Sequence, residues 1–144
     1  MPAPRPKPID VLAAVAIPVV LTSLVNGALV LIFQALIYTP DVFHPWRPIG
    51  FGSLGIVIAV LAWLLVRHLL PRPRSIMRWL IPIAVLLSFI PDVLLLADPA
   101  DRERNTVPVI AILMSMHVIV AVITVPFFRR FLPLPEDRPA QVIS

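Results

Sequence analysis

Residues 11–37 read VLAAVAIPVVLTSLVNGALVLIFQALI, a run with no Asp, Glu, Lys or Arg. As an α-helix it would rise about 40 Å. A bilayer needs only about 20 predominantly apolar residues to cross its hydrocarbon core, so this run is long enough to span with tilt. It is far longer than the roughly 7–15 residues of a signal-peptide core, and further apolar runs follow, so it reads as a retained span. A barrel strand is shorter and alternates apolar with polar residues, which this stretch does not. In hydrocarbon every backbone N–H and C=O must be paired within the chain, which leaves a helix.

Three more runs of the same kind follow, at 49–70, 76–97 and 107–128. The second is charged only at Arg67, the third carries Arg78 and Asp92, and the fourth has no Asp, Glu, Lys or Arg. The chain has 144 residues, 59% hydrophobic and 14% charged, with a mean hydropathy of +0.95. A soluble domain is about 45–50% apolar and about 25% charged. The expected fold is all-α: a four-transmembrane-helix antiparallel bundle, its neighbours joined by the short connections 38–48, 71–75 and 98–106. Residues 1–10 read as a Pro-rich basic tail, 11–132 as one membrane domain and 133–144 as a second tail. Residues 1–8 and 135–144 are expected to be poorly ordered. Asn105 or Thr106 can cap the fourth helix, with Pro108 in its first turn.

The net charge of +4 would suggest nucleic acid in a soluble protein. Here the basic residues flank apolar runs, so membrane topology accounts for them and no nucleic-acid partner is expected. Arg5, Lys7, Arg67, Arg72, Arg74, Arg78, Arg129, Arg130 and Arg138 fall on one side, against Arg47, Arg102 and Arg104 on the other. This asymmetry places both termini in the cytoplasm of a multi-pass protein of the cell membrane. Tyr38, Trp46 and Trp79 sit where interfacial aromatics belong; Trp63 lies inside the second span and is expected to pack there. Arg67, Arg72, Arg74 and Arg78 form a cationic rim whose default partner is anionic lipid headgroups.

Gly50-Phe51-Gly52-Ser53-Leu54-Gly55 matches the dinucleotide fingerprint G-x-G-x-x-G. That reading requires a preceding strand and an acidic residue about 20 positions on, and neither is present. Gly52, Gly55, Ala59 and Ala62 instead form a small-residue stripe suited to close helix approach. There is no cysteine, which excludes disulfides and thiol chemistry. No catalytic set, cofactor site or metal site is assembled by spacing.

The polar residues within the spans are few, and each has a bland and a sharp reading. Asp92 is costly in hydrocarbon and such residues are often functional, yet it lies only about 9 Å from the outer end of its span. His117 lies about 15 Å deep, where proton relay and metal or haem ligation compete with a simple interhelical hydrogen bond. Haem needs a second histidine at the same depth, which His44 and His68 do not supply, and zinc lacks further ligands. Asn26 and Gln34 lie on the first helix at depths near those of His117 and Asp92. Ser88 stands one turn before Asp92. Because polar groups turn away from lipid, Asn26, Gln34, Ser88, Asp92 and His117 are expected to form one polar seam in the outer half of the bundle. Met114, His117, Ala121 and Thr124 share a face of the fourth helix.

Ser88 to Phe127 carries a pattern of a proline near the outer end of the third helix (Pro91), a Thr-containing loop (Thr106), then Leu113-Met114-Ser115-Met116-His117-Val118 and a closing Pro126. This resembles a family of small bacterial four-helix integral membrane proteins of unknown function. Ser115-Met116 before the histidine and the charged loop 98–104 depart from that pattern. The resemblance implies four helices, draws attention to His117 and assigns no activity.

The reading favoured by the sequence is a non-enzymatic accessory or structural subunit of a membrane complex. Its partners would be the lipid bilayer, and other membrane subunits or a second copy of itself. The alternative is a small oligomeric transporter or channel with a proton or ion path through Asp92 and His117. A membrane enzyme ranks third, for want of a complete constellation.

Overall fold

A computed structural model describes residues 6–36, 46–97 and 106–135, and all the regular structure among them is helical. The helices are α1 (Pro8–Leu36), α2 (Trp46–Leu69), α3 (Pro73–Ser88), α4 (Ile90–Ala97) and α5 (Val107–Phe131). They supply four long apolar helices of membrane-crossing length, the third made of α3 and α4 together. The protein is a helical membrane-spanning bundle.

Three helices begin earlier than the apolar runs suggest, because proline suits the first turn, where no N–H is needed. Pro8 opens α1 instead of ending a disordered tail, and the Lys7 carbonyl accepts from the N–H groups of Asp10 and Val11 at 3.0 and 3.2 Å. Pro73 opens α3 in the same way. Pro48 lies in the first turn of α2, which starts at Trp46. Thr106 occupies the cap position of α5 and its carbonyl accepts from Ile110, but its hydroxyl makes no capping bond.

α1 packs against α2 and α5 together, while α3 and α4 lean chiefly on α5. One apolar cluster unites Ala14, Ile56, Val60, Trp63, Val66, Met77, Phe128, Leu132 and Leu134. A smaller one joins Val30, Val109 and Met116. Lipid is as apolar as these side chains, so what holds them together is close packing and hydrogen bonding. Trp63 provides both: its indole N–H donates to the Leu132 carbonyl at 2.9 Å, and its ring stands edge-on to Phe128. Leu132, the last residue of the expected membrane domain, and Leu134, in the expected tail, are fully or almost fully buried in this cluster. The third span is the least buried, 6% of its apolar stretch against 22% in each of the others.

Two surface expectations change. Arg67 is not on the rim; it is 3% exposed, because α2 turns Ile56, Val60, Trp63 and Arg67 inward on one helical face. Arg72, Arg74 and Arg78 are exposed at the same end of the bundle, together with Arg129 and Arg130. The stripe of Gly52, Gly55, Ala59 and Ala62 runs along the flank of that inward face. A side-chain carbon placed at Gly52 or Gly55 would meet no atom within 4 Å, so no helix among the described residues closes on those two glycines. Trp79 is 68% exposed, while Tyr38, the connections at 37–45 and 98–105 and the tail beyond Pro135 lie outside the described residues. The side chains of Trp46 and Arg47 do too.

Candidate functional site

The third span breaks where proline interrupts it. Pro91 has no N–H to offer the Leu87 carbonyl, and its ring crowds that carbonyl. α3 therefore ends at Ser88, the Phe89 N–H turns to the Leu86 carbonyl at 3.2 Å, and α4 resumes with Val93 donating to Phe89 at 2.9 Å. α4 then packs on α5. Asp92, in the first turn of α4, is 6% exposed.

Across from it stands His117. Its Nδ1 lies 3.2 Å from Asp92 Oδ2 and 2.9 Å from the carbonyl oxygen of Leu113, one turn earlier on its own helix. Phe89 presses on the imidazole edge-to-face, centroids 6.2 Å apart at 83°. The break at Phe89 thus delivers two side chains to one histidine, an aromatic ring and a carboxylate three residues apart.

Nδ1 faces two oxygen acceptors and so must carry the proton. The hydrogen bond goes to Leu113; Asp92 Oδ2 makes none by geometry and acts as a nearby charge. Nε2 is left as the nitrogen that can take up and release a proton. The His117 side chain is 38% exposed against 8% for Asp92, so the histidine is the accessible member of the pair.

Of the five expected seam residues, the structure joins Asp92 and His117. Asn26 is 3% exposed on the inward face of α1, and its Oδ1 has no hydrogen-bond partner among the described residues. Ser88 donates to the Val85 carbonyl of its own helix at 2.7 Å, and Gln34 is exposed near the end of α1. Thr124 was not counted in the seam, yet it is 3% exposed and its hydroxyl lacks a partner among the described residues. Its signal was present: seven residues after His117 is two helical turns, on the same face. Phe89 had no comparable signal, since an aromatic residue in an apolar run looks like any other.

Among the described residues no three His, Asp or Glu side chains gather as a metal cluster would require. The hydroxyls of Ser88 and Ser115 are turned to carbonyls of their own helices. What the arrangement offers is an imidazole beside a buried carboxylate within an apolar bundle. No protein-family model matches the chain, and no curated protein or solved structure matches it either, so the resemblance to small four-helix membrane proteins gains no support beyond the helical layout itself.

Proposed function

We propose that this protein conducts or couples protons across the membrane, with the His117–Asp92 pair as its proton-binding element. The observation that carries the reading is the 3.2 Å approach of Nδ1 to a buried carboxylate oxygen that lacks any other partner among the described residues. An ionisable pair within a span is expensive unless used, and proton relays are built from such residues. The accessory-subunit reading rests on the lack of a complete catalytic set and on the small-residue stripe; the close pairing of His117 with Asp92 favours the alternative, a proton or ion path, over it. We further propose that consecutive spans run antiparallel, with both termini and the Arg-rich end in the cytoplasm. The role is non-enzymatic: His117 Nε2 gains and loses a proton, and no other bond changes.

The test is proton flux in liposomes loaded with a pH-sensitive dye, driven by a potassium-diffusion potential. Wild-type protein should dissipate the gradient faster than empty liposomes. Asp92→Asn and His117→Ala should fall to the empty-liposome rate while keeping the helical signal of the wild type. Undiminished flux in both variants would end the proposal.

A further inference from the structure

Asp92 Oδ2, Asn26 Oδ1 and Thr124 Oγ1 are buried and lack hydrogen-bond partners among the described residues. The residues are 6%, 3% and 3% exposed. Such groups in hydrocarbon each cost free energy unless something pairs with them. Their placement is ordered. Ala14 and Phe128 belong to one apolar cluster, Val30 and Met116 to the other. Levels along α1 and α5 therefore run in opposite senses, and Asn26, one turn short of Val30, stands near the level of Met116 and His117.

From there the polar groups descend toward the Arg-rich end. On α1, Ala14, Pro18, Thr22, Asn26 and Val30 form the inward face. Thr22 is about 6 Å below Asn26. Its hydroxyl donates to the Pro18 carbonyl at 2.7 Å, which leaves its oxygen free to accept. Pro18 has no N–H, so the Ala14 carbonyl lacks its ordinary helical donor. On α5, Thr124 is about 10 Å below His117 and on the same face. Below these groups Trp63, Phe128 and Leu132 pack together and close the end of the bundle.

We infer that Asn26, Thr22 and Thr124 hold a short file of internal water between α1 and α5, continuing the His117–Asp92 pair toward the Arg-rich end. A buried water makes about three hydrogen bonds to groups otherwise unsatisfied. The carboxamide of Asn26, the two hydroxyls and the Ala14 carbonyl supply donors and acceptors at steps that water can bridge. The file stops at the Trp63–Phe128 plug, which makes that apolar packing its stopper. As a route for protons the file rests on the function proposed above; as a hydrated seam it does not.

The first experiment is solid-state NMR of the wild-type protein in lipid, with magnetisation transferred from water. The Asn26 carboxamide and the Thr124 side chain should gain signal as fast as residues at the interface, well ahead of Ile56 and Val60. If they stay as dry as Ile56 and Val60, the inference is overturned. The second is liposome flux with Asn26→Leu, Thr124→Val and Thr124→Ser. The first two should lose flux and Thr124→Ser should keep it. Flux retained in Asn26→Leu and Thr124→Val but lost in Asp92→Asn would overturn the route and leave the paired site standing. Flux retained in Asp92→Asn and His117→Ala would remove the proton function, and the NMR result would then decide the seam alone.

Discussion

Trp63 reaches from α2 to a carbonyl beyond the end of α5, and nothing in its own neighbourhood of sequence announces the contact. A Trp63→Phe variant keeps most of the ring and removes the indole N–H, so the buried Leu132 loses its donor. The expected cost is about 1–3 kcal/mol, read as a lower midpoint when the protein is unfolded with SDS in mixed micelles. Trp79 is 68% exposed and makes the control; Trp79→Phe should stay within about 0.5 kcal/mol of wild type. Equal shifts in the two variants would show that the Leu132 bond adds nothing measurable. The same distance between identity and placement explains how much of the site was readable. Asp92 and His117 stood out because each interrupts an apolar run. Their pairing depends on how α4 and α5 are rotated about their axes, and apolar sequence on every side carries no such rotation. Arg67 shows the reverse: a charge at a helix end reads as surface, and only its alignment with Ile56, Val60 and Trp63 turns it inward.

Four prolines lie within the spans, and they do different things. α1 continues through Pro18, α3 through Pro82 and α5 through Pro126, whereas the third span breaks next to Pro91. Membrane helices can absorb a lost backbone bond; the Thr22 hydroxyl goes to the Pro18 carbonyl and leaves the Ala14 carbonyl without its ordinary donor, yet α1 continues. Which proline would break its helix was not legible in the sequence. Because the break sets the rotation of α4, Pro91→Ala should rejoin α3 and α4 by restoring an N–H to the Leu87 carbonyl. Asp92 would then swing away from His117. The expected result is a lengthened distance between His117 Nδ1 and the Asp92 carboxyl carbon, measured by nitrogen–carbon recoupling in solid-state NMR, with helical circular dichroism undiminished. An unchanged distance would show that packing on α5, and not the proline, holds Asp92 in place.

At the scale of the whole molecule the fold was the most legible part, because four long runs without compensating polar residues admit only one kind of structure in lipid. What the runs could not express is the unevenness of the bundle. Thr22 and Asn26 of α1 and Thr124 of α5 are buried, while the third span presents Trp79, Ile83, Leu86, Leu87, Ile90, Val93 and Leu94 outward. Lipid is a sufficient solvent for that apolar face, but it offers nothing to the partly exposed imidazole of His117. Under the proposed function, the direction in which the bundle sits decides from which side protons would reach the pair, and that direction rests on the Arg-rich end. The absence of cysteine makes it directly measurable. Ser75→Cys, exposed beside Arg74, should resist a membrane-impermeant maleimide in intact cells and react after permeabilisation. Val107→Cys, at the opposite end and 71% exposed at the start of α5 in the native chain, should react in intact cells. The reversed pattern would put the Arg-rich end outside, and the water file would then lead from His117 to the exterior. Labelling of both positions from one side would contradict the crossing itself, since α3 with α4 and α5 would no longer separate two aqueous phases.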